Sequence, residues 1–201
     1  MNKILIFSYS LFLTLFVYDI SLAKEYVSEK TVEDLKNFHA VIAEQGAFTI
    51  DVPDGWVVKK DEVSPGKVWF ILPSGGQDKR IIERAVSVFA GRKADLKRGV
   101  SGTIIPTNVK EKDLLDYTFQ NTIAFLKAAH NICTIISQKK IVLDGVPAYR
   151  IDNIMRGDGR SMYASYIGCF TKEYVYYIVI QSPDNRTAVQ DKMLETIKFK
   201  H

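Results

Sequence analysis

The sequence predicts an α+β fold: an antiparallel β-sheet of about six to eight strands with helices packed on both faces. Three observations carry it. Hydrophobic periodicity along the chain reads helix, strands, helix, four strands, helix. The last four strand-like runs are joined by very short connections, which only antiparallel neighbours accept. The run YVYYIVI at residues 174–180 is apolar at both parities. Such a strand is buried on both faces and needs a covering layer on each.

The elements follow in order. Residues 28–45 have the spacing of an amphipathic helix, with Ser28 or Thr31 able to cap it and Gly46 as a left-handed stop. Val32, Leu35, Phe38 or His39, and Ile42 share one face. Residues 47–52 alternate as a strand, Pro53-Asp54-Gly55 turns the chain, and Trp56-Val57-Val58 opens the next strand. Residues 68–72 are a buried-looking run, and residues 81–90 form a longer strand rich in β-branched side chains. A polar, glycine-bearing connection spans 91–108. Asn108 and Glu111 have capping-box spacing, and a helix then runs to about residue 131. Leu115, Phe119, Thr122, Leu126 and Ala129 form its core stripe, widened by Leu114, Thr118 and Phe125. Strands at 132–143, 147–155, 161–170 and 174–181 make a meander, and a last helix from about residue 186 shows Val189, Met193 and Ile197 on one face.

The domain organisation reads as a signal peptide at 1–23, the amphipathic helix at 24–46 and a single domain at 47–201. Lys3 precedes an apolar run from Ile4 to Tyr18, and Ser21 and Ala23 place small residues where a signal peptidase cuts. The run is about 15 residues, short of the roughly 20 needed to span a bilayer. The expected product is a secreted or periplasmic protein starting near Lys24, with no transmembrane segment after cleavage. Composition is that of an ordinary globular protein: 47% hydrophobic and 25% charged residues. The net charge of +4 over 201 residues is too small an excess to argue for nucleic acid.

Three groups of motifs together resemble the PsbP/Mog1 superfamily and its secreted or periplasmic bacterial branch. The first is an aromatic-led strand followed by Pro-x-Gly-Trp, carried by Phe48, Pro53, Gly55 and Trp56. The second is a strand, a glycine turn and a Pro-Ala start, carried by Gly145 and Pro147. The third is an aromatic strand, a short helix and a closing Phe-Lys, from Tyr176 to Lys200. The resemblance covers roughly residues 47–200. It implies a Mog1/PsbP-like α/β/α sandwich and a set of non-catalytic modules: photosystem II extrinsic subunits, a Ran-binding import factor, exported bacterial proteins and secretion chaperones. The members share a fold rather than a reaction.

No catalytic constellation stands out. The three histidines are His39, His130 and His201, and no signature surrounds either cysteine. A thiol nucleophile needs a base and a third group to orient it. His130 reads better as a helix C-terminal cation, and no close-spaced pair suits a metal. A Gly-x-Ser-x-Gly elbow and a phosphate loop are both missing. Arg156-Gly157-Asp158 reads as a tight-turn sequence before it reads as an adhesion motif. No cofactor and no metal are expected.

Cys133 and Cys169 would meet an oxidising compartment after export, which favours a bridge. The meander argues against it. It sets them about ten residues apart along the strand axis, or ~30 Å, whereas a disulfide needs Cα atoms within ~7 Å. Two unpaired, mostly buried cysteines are expected. Arg92, Lys93, Lys97 and Arg98 lie in a connection and could meet an anionic partner: a membrane surface, a polysaccharide or an acidic protein. The plainer reading is a solvated loop. The expected function is an exported, non-enzymatic module that binds a protein partner or assists assembly at the cell envelope. The alternative is a small-ligand carrier with a cleft between the sheet and the central helix.

Overall fold

A computed structural model describes residues 37–43, 47–63, 66–74, 84–97, 109–129, 131–157, 160–183 and 188–200. In chain order the elements are β1 (Phe38–Ile42), β2 (Phe48–Pro53), β3 (Trp56–Val63), β4 (Gly66–Pro73), β5 (Ala85–Arg92) and the short helix α1 (Lys93–Lys97). A 3-10 turn (Glu111–Asp113) leads into α2 (Leu114–Ala128). Then come β6 (Cys133–Leu143), β7 (Val146–Gly157), β8 (Arg160–Phe170), β9 (Tyr174–Ser182), α3 (Ala188–Glu195) and β10 (Lys198–Phe199).

Seven strands form one antiparallel sheet in the order β3-β4-β5-β9-β8-β7-β6. The meander β6 to β9 is present, and β9 is the central strand, buried at all nine positions. Its two faces feed separate cores. Tyr174, Tyr176, Ile178 and Ile180 pack in the larger one, with Val86, Val88, Ala148 and Ile167. Val175 and Tyr177 face a small cluster with Leu114 and Phe89. Val179 joins Ile151, Ala164 and Tyr149 beneath α2, against Ile123 and Leu126. Ile123 is absent from the stripe read from sequence, although it stands four after Phe119 and three before Leu126. Thr122, a member of that stripe, uses its hydroxyl as a link: it donates to the Thr118 carbonyl at 2.9 Å and lies 3.2 Å from the Tyr149 hydroxyl.

The larger core is covered by α3 and by something the sequence pattern did not show, a second sheet of three strands in the order β1-β2-β10. Phe48, Ile50 and Val52 of β2, Phe199 of β10 and Val189, Met193 and Leu194 of α3 fill this layer. Phe48 meets Trp69 edge-on at 5.0 Å, and Tyr176 meets Phe199 at 4.5 Å. Asp54-Gly55, with Gly55 at φ +84°, is therefore the point where the chain leaves one sheet for the other. The side chain of Asp144 also ties the two sheets. It sits at φ +49° in the two-residue turn with Gly145, and accepts the Phe199 N–H at 2.8 Å and the Lys198 ammonium at 3.0 Å.

The expectation of one helix across residues 24–46 fails over the part described. Residues 38–42 form a strand, antiparallel to β2 from Phe38↔Pro53 to Ile42↔Thr49. Partnership with β2 satisfies these backbone groups and packs Phe38 and Val41 on the core, which outweighs local helical spacing. Residues 24–36, like the signal peptide at 1–23, lie outside the described residues. Asn108 of the expected capping box also lies outside them. Neither Lys110 before the 3-10 turn nor Asp113 before α2 makes a side-chain capping bond. Among the described residues, no helix is long and apolar enough to cross a membrane.

Candidate functional site

The larger core ends in a polar cluster. On β7 the residues that follow Val146 and Ala148 on the same face are Arg150 and Asp152. The register sets Asp152 opposite Ser137 of β6 on one side and opposite Ser165 of β8 on the other. Both hydroxyls donate to its carboxylate at 2.6 Å, Ser137 to Oδ2 and Ser165 to Oδ1. Arg150 donates from Nε to Asp152 Oδ1 at 2.7 Å, from Nη1 to Asp191 Oδ1 of α3 at 2.6 Å, and from Nη2 to Ser165 Oγ at 3.1 Å. The side chains of Arg150 and Asp152 are only 13% and 8% exposed.

The electrostatics follow from that burial. Desolvation alone would raise the Asp152 carboxyl. The hydrogen bonds from Ser137, Ser165 and Arg150, with the Arg150 charge, outweigh it and hold the group below its ordinary value. Desolvation works against the Arg150 guanidinium as well, but the two aspartates push its pKa up. Tyr163 is raised, chiefly by burial and then by the Asp152 charge. The cluster joins three strands to α3. Its guanidinium already faces two carboxylates, so it presents no net positive field to an incoming anion. No histidine among the described residues stands beside Asp152 to make either serine a nucleophile. Chemically the cluster is a latch that fixes α3 on the sheet.

The residues singled out in the sequence are dispersed. Pro53, Gly55 and Trp56 stand at the crossing between the two sheets and Phe48 at the other end of β2, whereas Gly145 (φ +76°) and Pro147 stand at the β6–β7 turn. Arg92 is exposed at the end of β5 and Lys97 ends α1, while Arg98 lies outside the described residues. The structure removes Lys93 from that patch. It is buried, its backbone N–H donates to the Glu173 carbonyl at 2.8 Å, and its ammonium pairs with Glu111 at 2.5 Å. His39 lies 3.4 Å from Asp54, and His130 and His201 are outside the described residues. Arg156, the first residue of the Arg-Gly-Asp run, donates to Thr134 at 2.7 Å, and Asp158 is outside them.

Cys133 and Cys169 are both free and buried. Cys133 is level with Met155 and Cys169 with Ala148, seven positions apart along β7. That is ~23 Å along the strand, less than the ten positions expected but far beyond bonding range. Burial raises both thiols. Native protein is therefore expected to resist a thiol reagent, with two equivalents reacting after denaturation. Finding no reactive thiol in the denatured chain would contradict the register itself.

The cleft expected between the sheet and the central helix is filled. The tilted rings of Phe119 and Tyr149 meet there at 5.3 Å, among Ile123, Leu126 and Ile151. A shallow groove of about 490 Å³ lies instead on the outer side of α2, lined by Val109, Lys110, Asp113, Asp116, Tyr117 and Gln120.

No protein-family profile matches the chain and no curated protein matches its sequence. Solved structures do match. Cyanobacterial PsbP (CyanoP) from Synechocystis sp. PCC 6803 aligns over 87% of this chain and 99% of its own, with TM-score 0.53 and 12% identity. LpqN of Mycobacterium tuberculosis, described as involved in cell envelope biogenesis, aligns over 86% of this chain and 98% of its own, with TM-score 0.52 and 13% identity. At these identities the likeness is one of fold, and the fold of this chain is PsbP-like. The resemblance carried by the sequence motifs holds at that level.

Proposed function

We propose that the chain is an exported, non-catalytic module that binds a protein partner at the cell envelope. The observation that carries this reading is the distribution of its apolar surface. Both faces of the central strand are covered, and the polar cluster is occupied by its own members. Among the described residues five large apolar side chains nevertheless remain exposed, two of them on one edge strand, β6, and a third just before it. An unpaired sheet edge that also exposes apolar side chains is a ready template for a partner's strand. Export is supported by the apolar run at 4–18 with small residues at 21 and 23. The envelope role described for LpqN, which shares the fold, agrees with it.

The test is native mass spectrometry of tagged protein recovered from the exported fraction of its host. The expected result is a chain beginning near Lys24 that retains a protein-sized mass. A small retained mass in place of a protein would make the molecule a ligand carrier. A bare monomer at every concentration would reject the partner-binding reading.

A further inference from the structure

We propose that the outer edge of β6 is a docking strand for an extended acidic segment of a partner protein. This inference rests on the binding-module reading and names the surface that serves it. β6 is 11 residues long and ends the seven-stranded sheet, so among the described residues only β7 pairs with it. An edge of that length presents a row of backbone donors and acceptors to an added strand. Five large apolar side chains are exposed among the described residues, and three of them belong to this edge. Ile136 (52%) and Val142 (67%) are on β6, and Ile132 (44%) immediately precedes it.

The charge pattern selects the occupant. Lys139 and Lys140 occupy the middle of β6 and, as neighbours on a strand, point to opposite faces. Both are exposed, and Lys139 has no ion-pair partner among the described residues. Lys140 meets Asp116 of α2 at 2.6 Å, but both side chains are more than 60% exposed, so the pair contributes little and exchanges easily. A second copy is a poor occupant. Two β6 edges paired antiparallel in full overlap would crowd four lysines within two positions of the centre as diagonal neighbours, and like charges that close repel. The register shift between Ile135 and Ser137 further spoils self-pairing. A strand carrying two adjacent carboxylates, one for each face, flanked by apolar residues meets both lysines with opposite charge and covers Ile136 and Val142. The lysines and the bulge thus discourage self-association while leaving the edge open to a complementary chain.

The probe is a labelled decapeptide with an adjacent glutamate pair at its centre, one for each face, and valine and threonine on either side, titrated into the full mature chain. A control peptide carries lysine in place of glutamate. Saturable binding of the acidic peptide is expected, with slowed amide exchange at residues 133–143. The control should not bind, and the Lys139→Glu/Lys140→Glu double variant should bind the acidic peptide at least about tenfold more weakly. Both substitutions are on exposed side chains, and circular dichroism checks that the fold is retained. A second variant, Val142→Ser, should weaken binding without reversing the charge preference. Equal binding of both peptides, no binding of the acidic one, or binding that leaves β6 exchange unchanged would overturn the proposal. Concentration-dependent dimerisation abolished by the double variant would assign the edge to a second copy, and charge-dependent binding to anionic vesicles with no β6 protection would assign it to a membrane. If the double variant still retains a protein partner in the native mass spectrum, the docking strand is wrong and the binding-module reading stands.

Discussion

Replacing Arg150 by methionine is expected to lower stability by about 3–5 kcal/mol at pH 7, because it strands one member of a buried ion pair. Among the described residues the guanidinium is the only cation bonded to Asp152, which is 8% exposed. Without it, Asp152 keeps the two serine hydroxyls as donors, and those do not offset the cost of a buried charge. Asp191 suffers less, being more than a third exposed and open to water. The pH dependence has a definite sign. In the wild-type protein Asp152 titrates below its unfolded value of about 3.9. Its contribution is therefore fully present above about pH 5 and is lost as pH falls through the folded pKa. In the variant, burial dominates and the folded carboxyl titrates above the unfolded one, so its penalty is relieved as pH falls. Urea unfolding should thus show a gap between the two proteins that is wide at pH 7 and narrower at pH 4. A gap that stays constant or widens would mean that Arg150 does not hold the carboxylate charged. Adding Asp152→Leu should recover much of the loss, since an apolar replacement of a buried pair is often close to neutral.

The polar cluster is closer to legible in the sequence than its residues suggest one by one. A two-residue turn at Asp144-Gly145 pairs Leu143 with Val146, and stepping outward brings Ser137 opposite Asp152. At the end of the next hairpin Gly157 pairs with Arg160, and the same stepping brings Ser165 opposite Asp152 from the other side. Two turn signals, both visible in the sequence, therefore specify the serine–carboxylate–serine row. Nothing in the local pattern singles out Arg150 and Asp152, since charges two apart on a strand normally form a solvated face. What local pattern could not supply is Asp191: α3 comes back over the sheet, and nothing near residue 150 announces it. The same division explains the rest of the fold. The buried central strand announces itself through seven consecutive apolar residues, and the helix at 114–128 through its stripe. β1 does not, because its half-buried residues Phe38 and Val41 are three apart and show no alternation. Its strand state is imposed by β2, and β10 is imposed on the other side of β2 in the same way. The one-residue bulge near Ile136 also lacks a local signal, and it accounts for part of the difference between the expected and observed separation of the cysteines.

Gly168→Ala should cost about 3 kcal/mol, the upper part of the range for overpacking a core. The backbone there is not left-handed, so the need for glycine comes from space rather than conformation. Gly168 of β8 stands directly opposite Tyr149 of β7, and the tyrosine ring lies across it. An added Cβ would come within 2.5 Å of Cε1 and Cζ and 2.6 Å of the hydroxyl. A flexible surface ring would swing aside. Tyr149 is 1% exposed, packed at a tilt 5.3 Å from Phe119 and 3.2 Å from the Thr122 hydroxyl, so it can move only by disturbing the seat of α2. The glycine in the middle of a buried strand is therefore part of the joint between sheet and helix. The restriction that alanine places on the unfolded chain offsets only a fraction of the loss, by about 0.4–1 kcal/mol. A double-mutant cycle with Tyr149→Val separates the causes. Removing the ring leaves a cavity and is costly alone. When Gly168→Ala is combined with it, the new methyl fits the vacated space, and the two losses should fall short of additive by more than about 1 kcal/mol. Strictly additive losses would place the strain of the alanine somewhere other than against Tyr149.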